Sequence, residues 1–218
     1  MKDRDIHGVV AILKREIRRW KVPAVSVVAE ESAAPFLVLA STLLSLRTKD
    51  SVTERASRRL FKLARSPRAM LKLSPRAIEK AIYPVSFYRN KAKTLRSASA
   101  DIMKRFGGKV PDDLDQLLTI KGVGRKTANL VVTLAYGKPG ICVDTHVHRI
   151  SNRLGYVRTK SPEETEMALR KKLPRAYWLI YNDLLVTYGQ NLCTPVSPWC
   201  SRCKVRPYCR RVGVATSR

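Results

Sequence analysis

The chain is poor in acid. Its 218 residues carry 17 aspartates and glutamates against 43 lysines and arginines, a net charge of +26. Such an excess repels itself unless a polyanion offsets it, so nucleic acid is the expected partner. A generally basic proteome or simple solubility is the plainer account, and charge alone does not separate the two. Long apolar runs are missing as well. The longest, Phe36 to Leu46, is broken by Ser41, Thr42 and Ser45 and falls short of the roughly 18 residues of a membrane span. The start, Met1-Lys2-Asp3-Arg4-Asp5, is charged and lacks the apolar stretch of a secretory signal. No membrane partner and a cytoplasmic, nucleoid-associated location are the expectations. Glutamine occurs only at 116 and 190 and asparagine is sparse, a composition that fits heat-adapted chains.

Strand signals are scarce, and Val25 to Val28 is the one short candidate. Internal repeats and low-complexity tracts are absent. What remains is helical periodicity: Ile6, Val9, Val10, Leu13, Ile17 and Trp20 recur at helix spacing. Lys21 to Ala34 reads as a connection, and Phe36 to Leu46 as a central buried helix. Ser51-Val52-Thr53-Glu54 has the form of a capping box. Ser66-Pro67 and Ser74-Pro75 place proline just inside a serine cap. A long helix over about 89–106 should stop at Gly107-Gly108, with a short one after Pro111 and another from Gly124 to near Gly137. Helices are predicted around 145–153, 161–173 and 174–188. The fold class is all-α.

The run Ile120-Lys121-Gly122-Val123-Gly124-Arg125-Lys126-Thr127-Ala128 joins two of these helices. Two glycines around one apolar residue permit a tight turn and close approach of a partner. Amides at the start of the next helix form an anion site, and Val123 can pin the turn to the core. An ordinary glycine-rich turn would also contain Gly-x-Gly; the full run is far more specific. It is not a nucleotide phosphate loop, because the required Gly-x-x-x-x-Gly-Lys-Ser/Thr spacing is absent. Lys126 opens the following helix beside Arg125, and a helix dipole with neighbouring cations favours the neutral, nucleophilic amine. A solvated lysine touching phosphate is the plainer role. Val143-Asp144-Thr145-His146-Val147 supplies a carboxylate that would cap the next helix. The same carboxylate could stabilise positive charge developing at a bound sugar, or relay a proton.

Of five cysteines, Cys142 stands alone and reads as a small core residue. Cys193, Cys200, Cys203 and Cys209 cluster with spacing six-two-five and contain one Cys-x-x-Cys pair. Structural zinc usually pairs two such knuckles, whereas [4Fe–4S] is held by four cysteines. Spacing alone leaves both open. Arg202, Lys204, Arg206 and Arg210 are interleaved with these cysteines.

The hairpin, the Val-Asp-Thr-His-Val segment and the cysteine quartet, in this order and spacing, resemble the endonuclease III family of helix-hairpin-helix DNA repair proteins. The resemblance runs from about Pro35 to Cys209, with a looser match at the N-terminal helix. It implies a six-helix barrel over 28–140 that includes the hairpin, and an iron–sulfur domain formed by 1–27 with 141–218. A cleft between them would bind DNA. It further implies a bifunctional DNA glycosylase and abasic-site lyase, monomeric, acting on double-stranded DNA with an oxidised pyrimidine such as thymine glycol. The lysine at the position of Lys126 attacks C1′, and β-elimination through the Schiff base cuts 3′ to the lesion, with Asp144 as the partner carboxylate. The quartet would hold a [4Fe–4S] cluster, and Gly122, Val123, Gly124, Arg125 and His146 would contact DNA.

By the same resemblance two loops enter the duplex. One is Ser45 to Asp50, with Arg47 where many members carry Gln; the other is Ser86 to Ala92, with Phe87 as an apolar wedge where relatives often have Leu. Ordinary packing is the plainer reading of both. Lys121 also departs from the usual Pro. Relatives that release bases without nicking generally lack the lysine at 126. A monofunctional mismatch or adenine glycosylase and a non-catalytic DNA-binding module are the two rivals.

Overall fold

The computed structural model describes residues 1–218, which form twelve α-helices with turns and loops and no strand. Two hydrophobic cores form, each inside its own compact unit: Ala24–Gly140, and Met1–Pro23 with Ile141–Arg218. The second unit begins with α1 (Asp5–Glu16), which buries Ile6, Val9, Val10 and Leu13, one stripe of a 3.6-residue repeat. Trp20 ends this segment and meets Tyr188 edge to face at 6.0 Å.

Ala24–Gly140 is built around a helix that has no polar side. It contains α2 (Ala24–Glu31), α3 (Pro35–Ser45), α4 (Asp50–Leu63), α5 (Pro67–Lys72), α6 (Pro75–Ile82), α7 (Tyr88–Phe106), α8 (Leu114–Leu118) and α9 (Arg125–Leu130). Every residue of α3 from Phe36 to Leu44 is buried, as α2, α4, α7 and α9 surround it. Full burial of each Leu, Val or Phe there contributes about 1.5–3 kcal/mol. Ser41 and Thr42 are tolerated because their hydroxyls donate to the Val38 carbonyl at 3.0 and 2.7 Å. The unit therefore has eight helical segments, with α5, α8 and α9 only five or six residues long.

Three expectations need correction here. Val25 to Val28 is not a strand, and 21–34 is not all connection: α2 occupies 24–31, and its Val25 and Val28 pack into the core around α3. Their burial outweighs the few tenths of a kcal/mol that β-branching costs a helix. The compact unit that contains α2 begins at Ala24. Ser51 is not a cap either, since α4 starts at Asp50 with Lys49 as its N-cap residue. The serines before proline behave as the sequence suggests. Ser66 accepts from the Ala69 amide at 3.1 Å and Ser74 from the Ala77 amide at 3.2 Å. α7 ends where Gly107 turns left-handed, φ 59°.

Helix C-termini in this unit are closed by cations from elsewhere in the chain. Arg59 donates to the carbonyls of Ala81, at 2.8 Å, and Tyr83, where α6 ends. Arg96 does the same for Leu71, at 3.0 Å, and Leu73 beyond α5. Arg105 reaches the Thr119 carbonyl at 3.0 Å beyond α8. Orphan carbonyls carry the negative end of the helix dipole, so a chain short of carboxylates has its counter-charges in its own backbone.

The other unit continues with α10 (Thr145–Arg153), α11 (Pro162–Lys172) and α12 (Trp178–Asn191). Ser161 caps α11 by accepting from the Glu164 amide at 3.1 Å, and Glu164 reaches back to the Lys160 amide at 2.8 Å. Tyr156, Tyr181 and Tyr188 fill the core, each with its hydroxyl in a hydrogen bond: to the Lys172 carbonyl, to Ser151 and to Cys203. Cys142 is a buried residue of this unit.

Candidate active site and cysteine loop

The hairpin between α8 and α9 is held from below. Val123 is buried in the core around α3, and its amide donates to the Ile120 carbonyl at 3.0 Å. The Lys121 amide donates to Asp101 Oδ2 at 3.0 Å, which tethers the turn to α7. Gly122 has φ 86°, and a Cβ there would come within 2.4 Å of Thr94 Cγ2, so glycine is required twice over. Gly124 is different: its φ is −95°, and an added Cβ would meet no protein atom within 4 Å. Nothing inside the chain demands glycine at 124.

Gly124 is the N-cap residue of α9, which places Arg125 and Lys126 in the first turn, both half-buried. Thr127, Ala128, Asn129 and Leu130 behind them are buried. Asn129 donates to the Arg125 carbonyl at 3.1 Å. Beyond Leu130 the helix widens into a π-helical turn, Val131–Ala135, a local form found often beside functional sites. Lys126 thus rises from a buried, well-anchored helix start.

Two bends of the same unit carry the other candidates. Arg47 follows α3, is exposed, and has φ 53°; Phe87 precedes α7, is 61% exposed, and has φ 57°. Left-handed backbone at a residue with a side chain costs on the order of 1–2 kcal/mol, and such strain concentrates at functional sites. The bends are joined by Lys91, which sequence reasoning passed over. Its ammonium donates to the carbonyls of Leu44 (2.7 Å) and Leu46 (2.5 Å) and to Thr48 Oγ1 (3.0 Å). Burial pushes Lys91 down to about 8. The one available clue was its phase: Lys91 shares the buried face of α7 with Leu95, Ala98 and Ile102.

In the other unit, Asp144 is the N-cap of α10. Its Oδ1 accepts from the amides of His146 at 2.9 Å and Val147 at 3.0 Å. The capping role expected of it is therefore present. His146 is half-buried, with Nδ1 3.1 Å from Arg149 Nη2. A Cβ at Gly189 would lie 2.5 Å from that nitrogen. The ring packs toward α12, which its expected role as a DNA contact did not foreshadow. Lys126 belongs to one unit and Asp144 to the other.

Cys193, Cys200, Cys203 and Cys209 are all free thiols, half-buried, and all four line one cavity. Its remaining walls include Ile150, Leu154, Leu192, Trp199 and Val205. Burial raises the Cys203 and Cys209 thiols above the ordinary range. Donors surround the sulfurs: Arg153 Nη1 lies 3.5 Å from Cys193 Sγ, the Tyr188 hydroxyl 3.2 Å from Cys203 Sγ, and the Arg211 amide 3.4 Å from Cys209 Sγ. No three His, Cys, Asp or Glu side chains converge as a single ion would require. Arg153 and Tyr188 were not singled out from sequence, where neither carries a local motif.

A family model for the HhH-GPD superfamily base excision DNA repair protein matches residues 40–175. Endonuclease III of Thermotoga maritima is 46% identical over 175 residues, covering 80% of this chain and 82% of that protein. The chain belongs to the endonuclease III family. Endonuclease III-like protein 1 of Gallus gallus, a second relative, is 39% identical over 207 residues, 89% of this chain and 74% of its own length. Among solved structures, a trapped endonuclease III–DNA covalent intermediate superposes with a TM-score of 0.84 at 31% identity, covering 97% of both chains. The all-α fold is that of endonuclease III, and no helix is long and apolar enough to cross a membrane.

Proposed function

We propose that the chain is a bifunctional DNA glycosylase and abasic-site lyase of base excision repair, acting on double-stranded DNA that carries an oxidised pyrimidine such as thymine glycol. The observation that carries the reading is Lys126 in the first turn of α9, directly after a hairpin whose Gly124 faces open space. The hairpin and the α9 amides would grip backbone phosphates without reading sequence. Family membership and the likeness to a covalent endonuclease III–DNA intermediate support the same chemistry.

In this reading the neutral Lys126 amine forms a bond to C1′ as the glycosidic bond breaks, and the electron pair leaves with the base, which takes up a proton. Sugar-ring opening gives a Schiff base at Lys126. Loss of a C2′ proton then expels the 3′ phosphate, which nicks the strand. Asp144 offsets positive charge at C1′ and relays protons. Its hold on the α10 amides keeps the carboxylate fixed. Arg47 and Phe87 would fill the duplex where the damaged base leaves. His146, whose Nδ1 lies beside Arg149, would contact DNA. The protein acts as a monomer.

Cys193, Cys200, Cys203 and Cys209 would hold a [4Fe–4S] cluster. The fit rests on four thiols around one largely apolar cavity, the ligand number that a [4Fe–4S] cluster takes. Buried thiolates need a cationic centre to remain ionised. The group would supply structural order to the loop, while Arg153 and Tyr188 orient its sulfur ligands.

Borohydride trapping on a duplex with one thymine glycol tests the reading. A covalent adduct with the intact protein, absent from Lys126→Ala, is expected. Base release with neither adduct nor nick would establish a monofunctional glycosylase, and binding without release a DNA-binding module.

A further inference from the structure

Arg47 and Phe87 lie 40 residues apart in sequence, yet one side chain ties down both bends. Lys91 sits in the first turn of α7. Its backbone amide donates to the Phe87 carbonyl at 3.0 Å. Its ammonium meanwhile crosses to the other bend, where it meets the carbonyls of Leu44 and Leu46 and the Thr48 hydroxyl. An ammonium has three donors, and here each finds an acceptor. Leu44 and Leu46 bracket the end of α3, so the cation also completes a helix C-terminus.

Thr48 is the second half of the lock. Its hydroxyl accepts from Lys91 Nζ at 3.0 Å and from the Ser86 amide at 3.2 Å, and donates to the Leu46 carbonyl at 3.3 Å. The Ser86 amide immediately precedes Phe87. One hydroxyl thus uses its donor and both lone pairs to join the Arg47 bend to the Phe87 bend. Lys91 is buried, its three acceptors are uncharged, and both residues it serves are left-handed and exposed. Such a bond network would be superfluous if either bend were free to move alone.

We infer that Lys91, acting through Thr48, is a positioning residue for lesion extrusion: it fixes the Arg47 and Phe87 bends to each other so that both side chains enter the duplex as one rigid element. Neither Lys91 nor Thr48 touches the reacting atoms. The free energy of holding two strained residues is supplied in advance by the fold, so extrusion does not have to supply it. This rests on the glycosylase reading above.

The test uses the full-length protein, Thr48→Val, Thr48→Ser and Lys91→Met, in single-turnover excision of thymine glycol. One substrate is a fully paired duplex. The other has the same lesion inside a short mismatched bubble, where extrusion is already largely complete. Thr48→Val keeps the side-chain shape and should excise about tenfold more slowly from the paired duplex, with a loss under about twofold from the bubble. Thr48→Ser should recover most of the rate. Lys91→Met should follow the same pattern, and in a Phe87→Ala background it should cost little more, because the two act as a unit. Equal losses on the two substrates would overturn the positioning role while leaving the glycosylase reading intact. An intact protein that excises from neither substrate would defeat both. Should Lys91→Met fail to fold, the Thr48 pair still decides.

Discussion

The hairpin and the paired bends solve the same backbone problem in opposite ways. Each needs left-handed backbone at a tight turn. At the hairpin Gly122 adopts it without cost, while at the bends Arg47 and Phe87 adopt it against their own preference. The hairpin presents amides, so a side chain at its turn would only obstruct. The bends present side chains, so glycine there would remove what they display. At these two bends the strain stands where the protein displays a side chain, and a buried lysine sustains it.

Four substitutions and one change of pH would break or sharpen this contrast. Gly122→Ala should do the most damage to the fold. It forces a Cβ into left-handed backbone and against Thr94, at a cost of about 2 kcal/mol or more, read as a lowered denaturation midpoint. Arg47→Gly and Phe87→Gly should move the other way, each stabilising by about 1 kcal/mol while slowing excision from paired duplex. A destabilised Phe87→Gly protein would show that the bend is not strained. Gly124→Ala should leave the midpoint within about 0.5 kcal/mol of the parent, yet weaken DNA binding in a titration, because the only thing its Cβ can meet is a partner. Unchanged affinity would remove the hairpin from the interface.

The smallest effect concerns protons. Lys91 is held at about 8 by burial, whereas an unfolded lysine lies near about 10.4. Between those values the unfolded chain binds more protons, so Lys91's contribution to stability rises with pH through this window and is flat below it. The difference in midpoint between the parent and Lys91→Met should therefore shift in the parent's favour from pH 7 to pH 9.5. A difference that stays constant would place Lys91 outside that titration.

Much of this was legible from local rules. The buried stripe of α1, the serine–proline caps of α5 and α6, the stop of α7 at Gly107 and the Asp144 cap all follow from residue type and spacing. The hairpin announced itself because glycine, an apolar pin and a helix start recur in a fixed order. What escaped notice depended on packing between distant segments. α2 is rich in valine, and only its burial against α3 makes it helical. Nothing local tells an arginine or a phenylalanine to turn left-handed. A lysine on the buried face of α7 reads as an exception until the carbonyls it serves, more than 40 residues earlier, are in view.

The carbonyl caps have a further consequence for how this chain meets acid. In most proteins, lowering the pH protonates carboxylates and so releases the cations they hold. Here Arg59, Arg96, Arg105 and Lys91 rest on backbone oxygens, which do not titrate. Acid therefore leaves these internal clasps closed and acts through mutual repulsion of the surface cations. A small multivalent anion such as sulfate, by screening that repulsion, should return acid-expanded protein to its native helices.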